Sequence, residues 1–350
     1  MLIEKKKKNN GVEIKQFKIH GNWVGGMKGE IEDYRQFLLN SDFDIVTNFA
    51  AQQWATDIAL PILEKITAKK VFVPTGFSAF YNPEYQNYFS HLKNWMKQYD
   101  MNIFLSHDYR DIDFAKTNGI TKNTIIPNGA SMHEFSSNQI NIRENLGISQ
   151  DEFLILLVGS FSGSKGHKEA LEIFLKSDLK KSTLLMIGNN YENFKRKIML
   201  YPKFYWLKFL NLSKQKKIII TYISRKETVE AYKAADLFLF PSNIECSPIV
   251  LFECMASKTP FLTTDVGNAK EIIELSQGGM LLPTKIDGNG YSHAKIPESV
   301  KMLNELYLNS VMRKQLMENG YKTWKEKFTW EIISEKYLTL YQNILNQSSG

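Results

Sequence analysis

The sequence predicts an α/β protein of two domains, each built on a doubly wound parallel sheet, with a helical tail behind them. Three observations point there. From residue 150 onward, short apolar runs alternate with amphipathic helical stretches. The runs are apolar at nearly every position, as in strands covered by helices on both faces. The chain has 350 residues, 43% of them apolar and 23% charged, enough for two ordinary cores at roughly 150 residues per domain.

In chain order, VEIKQFKI (Val12 to Ile19) alternates like a strand. FDIVTNF (Phe43 to Phe49), KKVFVP (Lys69 to Pro74), NIFLS (Asn102 to Ser106) and TIIP (Thr124 to Pro127) read as buried strands. TDIALPILEKI has helical spacing, which Pro61 is expected to kink or split. IPNGAS (Ile126 to Ser131) carries an Asn-Gly turn signal, and a polar connector runs on to Gln150. FLILLVG (Phe153 to Gly159), TLLMIG (Thr183 to Gly188), KIIITY (Lys217 to Tyr222) and DLFLFPS (Asp236 to Ser242) are strands. HKEALEIFLKS, RKETVEAYKAA and PIVLFECMAS are helices, and PFLTT, NAKEIIELS and GMLLP continue the alternation. The tail from Ile296 is helical, with a break at Phe328-Thr329-Trp330 where Thr329 can cap the last helix. The expected division is 1–145, 146–328 and a terminal helix over 329–350. Ligands of such sheets sit beyond the carboxyl ends of the strands. That selects the loops after Val158, Gly188, Tyr222, Phe240 and Thr264.

Composition narrows the classes. No apolar run approaches the roughly 20 residues that span a bilayer, and no apolar segment follows the charged start as in a secretory signal. Cys246 and Cys254 alone make neither a disulfide framework nor a four-ligand zinc site, so a reduced, cytoplasmic compartment is expected. The net charge of +7 is local: Lys195, Arg196, Lys197, Lys203, Lys208, Lys214, Lys216 and Lys217 carry it, with no acid among them. Tyr201, Phe204, Tyr205, Trp206 and Phe209 are interleaved there. The favoured reading of 194–217 is an amphipathic helix starting near Pro202, aromatics inward and lysines in water. Contact with an anionic membrane surface at the inner face is the second reading. Nucleic acid is not expected.

The loop after Phe240 carries the chemistry. Glu245 sits just before a helix and Glu253 eight residues later inside it, a gap of about 12 Å if helical throughout. Two carboxylates so placed can grip separated hydroxyls of one extended ligand. Glu245 also fits a helix-start acid, worth only a few tenths of a kcal/mol. Glu253, among Leu251, Phe252, Met255 and Ala256, is expected to be buried, and a buried acid wants a partner. In Gly159-Ser160-Phe161-Ser162-Gly163-Ser164-Lys165-Gly166, a flexible loop opens a helix and offers amides and one cation to phosphate. The spacing is not that of a P-loop. Asp42-Phe43-Asp44 and Asp111-Ile112-Asp113 match a D-x-D metal pattern, but no other ligands converge on them, and no metal is expected. His167 is as consistent with a helix start as with ligand contact. Glu271 fits a first-turn acid without a catalytic role.

Together these pieces resemble the retaining glycosyltransferases of family four, whose GT-B fold has two Rossmann-like domains facing a cleft. The resemblance runs over nearly all of 120 to 345: NIECSPIVLFECMASKTPFLTTDVGNAKEII is similar to the family's E-x7-E signature, VGSFSGSKGHKEALEIF to its phosphate loop, IPNGAS to the segment before the hinge, and FTWEIISEKYLTLY to the tail helix. It implies retaining transfer of a sugar from a nucleotide-diphosphate sugar to a saccharide or lipid-linked acceptor, in settings such as polysaccharide assembly, with no metal or further cofactor. By it, Glu245 and Lys165 serve the chemistry. Glu245 binds donor-sugar hydroxyls with the amides at Cys246, Ser247 and Ile249. Glu253 holds the ribose, Gly159, Ser160 and Lys165 face the diphosphate, and Ile223 lies by the base. Residues 1–145 form the acceptor side, and the terminal helix packs back on them.

Three departures stand out. Ser160 occupies the place of the family's usual arginine. FVPTGFS (Phe72 to Ser78) has Thr75 and Gly76 where the family often has a histidine. The family's opening strand, glycine-rich loop and first helix have no counterpart, so the first domain is expected to begin partway in. Two other classes fit the same architecture: a nucleotide-sugar epimerase, and a non-catalytic nucleotide-sugar-binding remnant.

Overall fold

The structure is a computed structural model describing residues 7–9, 11–136, 140–200 and 212–346. The chain divides into two compact units. The first comprises Met1–Phe104, Arg110–Thr124 and Tyr341–Gly350; the second comprises Leu105–Tyr109 and Ile125–Leu340. The division at Thr124 falls ahead of the expected split near 145. Residues after Thr124 are tied to the second unit by long-range bonds. Arg143, buried, donates to Ala234 O at 2.9 Å and Asp236 Oδ2 at 3.0 Å. Ala130 N donates to Phe328 O at 3.0 Å.

The first unit carries a four-stranded sheet, β1 (Ile45–Phe49), β2 (Lys69–Val73), β3 (Met101–Phe104) and β4 (Asn123–Ile125), in that spatial order. The β1/β2 and β2/β3 pairs are parallel. Pro61 acts as expected: the helix Trp54–Ala59 tightens into a 3-10 turn at Leu60–Lys65, because proline lacks the donor an α-helix needs. The single strand expected over Val12 to Ile19 is a correction. Val12–Ile14 pairs with Lys7–Asn9 and Ile19–Asn22 with Gly26–Gly29, giving two hairpins. Gly11, at φ 85°, turns the chain in the left-handed region, where only glycine is unstrained.

The second unit holds six parallel strands: β5 (Phe153–Val158), β6 (Ser182–Ile187), β7 (Lys216–Thr221), β8 (Leu237–Phe240), β9 (Phe261–Thr263) and β10 (Gly279–Leu281). Their spatial order is β7-β6-β5-β8-β9-β10, with β5 matched to β6 residue for residue from Phe153↔Ser182 to Val158↔Ile187. Apolar residues at every position of β5 serve both faces. Leu154 and Leu156 enter one core with Phe252 and Trp324, whereas Ile155 and Leu157 enter the other with Phe174 and Leu303. The strand order reverses between β5 and β8, the switch point at which doubly wound sheets leave a crevice. Thr329 accepts from Ile332 N at 3.3 Å and so caps the last helix, Trp330–Asn346. No helix among the described residues is long and apolar enough to cross a membrane. Positions 201–211 of the basic–aromatic segment, including the helix expected from Pro202, lie outside the described residues.

Candidate functional site

The loops leaving β5 and β8 meet at the switch point. Asn243 N donates to Ser164 O at 2.8 Å, and Ser242 Oγ to the same carbonyl at 3.2 Å. Gly166 begins the helix His167–Lys176 at φ 68°, so close to the second loop that a Cβ there would lie 1.8 Å from Pro241 O. Glycine at 166 is therefore what lets the loop after β5 seat against the Glu245 loop. On the far side, Gly267 (φ 56°) lies against the Cys246 carbonyl, and Asn268 N donates to Cys246 O at 2.9 Å.

This seating brings Lys165 Nζ to 2.6 Å from Glu245 Oε1, and Ser242 Oγ donates to the same oxygen at 2.9 Å. Lys165 stands beside the positive end of a helix, where a cation is disfavoured unless an anion is near. Three polar atoms around these loops are buried without a protein partner: Ser247 Oγ, Asn268 Oδ1 and His167 Nε2. Such atoms cost about 1–3 kcal/mol each and mark places where stability yields to another demand. His167 stacks on Phe161 at 4.1 Å, and burial, assisted by the charge of Lys165, pushes its imidazole down to about 4. It is neutral at physiological pH.

Glu253 lies inside the helix Ile249–Ala256 and is 6% exposed. Its partner is Arg225, whose Nη1 is 2.6 Å from Glu253 Oε1. Arg225 also grips Glu134 with two bonds, Nε to Oε1 at 3.1 Å and Nη2 to Oε2 at 2.9 Å. Burial raises the Glu253 carboxyl above the ordinary range, and the Arg225 guanidinium and the Tyr232 hydroxyl offset that rise only in part. Burial alone would lower the guanidinium, but the two carboxylates outweigh it and raise it. Ile223, expected by the base, follows β7 and packs on the core that contains Phe252.

The structure joins Lys165 to Glu245 through a direct contact, and Glu253 to a partner that the motif did not supply. Gly159 continues β5, its N–H bonded to Ile187 O at 2.9 Å, with Ser160 next in the loop. Cys246 and Ser247 follow Glu245, and Ile249 opens the helix, 43% exposed. Sequence reasoning missed two groups, Arg225 and Ser242. Glu271 lies in the first turn of the helix Ala269–Ser276, as expected, and in addition accepts from the backbone N of His107 at 2.9 Å and pairs with its Nδ1 at 2.8 Å, fixing the loop after β3. Asp111, one member of a D-x-D triplet, is buried and accepts from Gly76 N at 2.9 Å, a bond that shapes the Thr75-Gly76 turn.

Comparison with known proteins bears on the family and the fold. The family profile described as Glycosyl transferases group 1 matches residues 138–323. An uncharacterised glycosyltransferase of Methanocaldococcus jannaschii is 26% identical over 230 residues, 62% of this chain and 53% of that protein. A lipopolysaccharide 1,2-N-acetylglucosaminetransferase of Salmonella typhimurium is 26% identical over 227 residues, 61% of this chain and 55% of its own length. The chain thus spans about half the length of these curated relatives. Sucrose-phosphate synthase from Thermosynechococcus elongatus shares the fold at TM-score 0.73 and 16% identity, covering 91% of this chain and 77% of that one. Anabaena HepE in complex with UDP and glucose does so at TM-score 0.67 and 15% identity, covering 89% and 81%. On a GT-B-type α/β fold, and with more than half its length matched by the profile, this chain belongs to the glycosyl transferases group 1 family.

Proposed function

We propose that this protein transfers a sugar from a nucleoside-diphosphate sugar to a saccharide or lipid-linked acceptor, with retention at the anomeric carbon. The observation that carries the reading is the Lys165–Glu245 contact at the β5/β8 switch point. In the free protein each charge satisfies the other. A diphosphate arriving at the start of the helix His167–Lys176 competes for Lys165, and Glu245 is released to accept bonds from sugar hydroxyls. Amides at Cys246, Ser247 and Ile249 assist it. Gly159, Ser160 and Lys165 line the diphosphate, Glu253 takes the ribose diol, and Ile223 borders the base. A carboxylate suits a diol because its two oxygens accept at a fixed spacing.

In the proposed step the bond from the anomeric carbon to the leaving phosphate oxygen breaks with its electron pair on the phosphate. The acceptor oxygen bonds to the same face, and its proton passes to that phosphate oxygen. Lys165 offsets the growing charge, so neither metal nor cofactor is needed. Two neighbours support the donor class: HepE structures hold UDP and UDP-glucose, and the Salmonella relative is named as an N-acetylglucosaminetransferase.

The test is a product assay over donor sugars with saccharide and lipid-linked acceptors, the anomer read by NMR. A glycoside of the donor's own configuration is expected. An altered nucleotide sugar formed without acceptor would make the protein an isomerase, and tight nucleotide binding with no turnover would make it a binding protein. The second reading of 194–217, contact with an anionic membrane, is kept as a proposal for Lys195, Arg196 and Lys197 on the helix Tyr191–Met199. Salt-sensitive sedimentation with phosphatidylserine vesicles, absent with neutral vesicles, is the expected result.

A further inference from the structure

Arg225 is the first residue of the helix Arg225–Ala234, placed there by a capping box. Ser224 Oγ accepts from Glu227 N at 3.3 Å, and Ser224 N donates to Glu227 Oε2 at 2.9 Å. A cation at this end opposes the helix dipole. The position is occupied because two carboxylates from elsewhere converge on it. Glu134 engages one edge of the guanidinium through Nε and Nη2, and Glu253 is bound by Nη1. The Phe135 ring lies 5.8 Å from the guanidinium carbon. Arg225 is therefore held on three sides while its side chain stays 46% exposed.

From this geometry we infer that Arg225 is a positioning residue for nucleotide recognition: anchored by Glu134, it keeps the buried Glu253 ionised and aimed at the ribose hydroxyls. The inference rests on the assignment of Glu253 to the ribose. An uncompensated buried carboxylate takes up a proton rather than stay charged. A protonated Glu253 has lost acceptor capacity and the strength of a charged bond. The groups facing Glu253 are Arg225 and Tyr232 from one helix, Glu134 from the helix Met132–Ser136, and Cys254 on its own helix. Arg225 is the one cation among them, and His133 adds a positive influence on Glu134 alone.

The experiment is calorimetric titration of the intact protein with UDP, GDP and ADP at pH 6.0, 7.0 and 8.5. Each variant is read as a ratio to wild type, which cancels the ligand's own ionisation. Arg225→Met is expected to weaken binding roughly tenfold at pH 6.0, the loss of one charge-assisted bond, and to recover most of it by pH 8.5. Arg225→Lys should keep the wild-type profile, and Glu134→Gln should shift it in the direction of Arg225→Met by less. An equal loss at every pH, or none, overturns the role of Arg225 and leaves it a structural ion pair. Glu253→Gln separates the two assignments. If it leaves affinity unchanged, or if no nucleotide binds wild type, the ribose assignment falls and this inference with it. If it weakens binding while Arg225→Met has no pH signature, only the role of Arg225 is lost.

Discussion

Lys165 and Glu245 meet at 2.6 Å although 80 residues separate them, and each is expected to fail in its own way when removed. Lys165→Ala should lower turnover by about 10²–10³ with the melting temperature nearly unchanged, the typical worth of one preorganised charge-stabilising donor. Glu245→Gln should impair steps that depend on the donor sugar and leave binding of the free nucleotide intact, whereas Glu253→Ala should weaken the free nucleotide too. Equal effects on the free nucleotide would contradict both assignments. His167 makes a separate, pH-linked prediction. Its folded pKa of about 4 lies below the ordinary histidine value of 6.5, so between those values the unfolded chain binds the proton more readily. Stability should fall on acidification from pH 7 to 5, by about 2 kcal/mol from this group. Urea midpoints at the two pH values should differ less in His167→Phe than in wild type.

The glycine that opens the helix His167–Lys176 sets how the two loops lie together. Gly166→Ala places a methyl against the Pro241 carbonyl at an unfavourable φ. The expected cost is about 1–3 kcal/mol of stability, together with weaker nucleotide binding, because the Lys165–Glu245 contact loses its seating. A variant with unchanged urea midpoint and nucleotide affinity would show that the loops do not depend on this approach. Arg143 plays the corresponding part at the other end of the sheet, donating to Ala234, Ser149 and Glu152 carbonyls and to Asp236. Arg143→Met leaves the Ala234 and Glu152 carbonyls without this donor, while Asp236 keeps its bond from Leu154 N and the Ser149 carbonyl its bond from Glu152 N; a loss of about 1–3 kcal/mol is expected from chemical denaturation.

For the molecule as a whole, ligand linkage is the most direct reading. A nucleoside diphosphate that binds only the folded chain, present at a hundred times its dissociation constant, adds about 2.7 kcal/mol to stability. A thermal-shift screen of nucleoside diphosphates and their sugars should show one base raising the transition by several degrees. Absence of a shift with every nucleotide would remove the donor assignment.

The parallel sheets were legible because their cause is local. Apolar runs such as Phe153 to Val158, buried on both faces, carry their signal in six consecutive residues. Lys165, Glu245 and Glu253 could be named as candidates from the sequence, since each lies at a fixed offset from a strand end or from another motif residue. The N-terminal hairpins were misread because Val12 to Ile19 has a strand's alternation, while its pairing is decided by glycine turns on either side. What only tertiary structure decided is the pairing of charges. Arg225 finds Glu134 across 91 residues, and Glu271 finds His107 across 164. No period along the chain encodes such distances; they arise when segments far apart in the sequence pack together and bring their charged groups to one place.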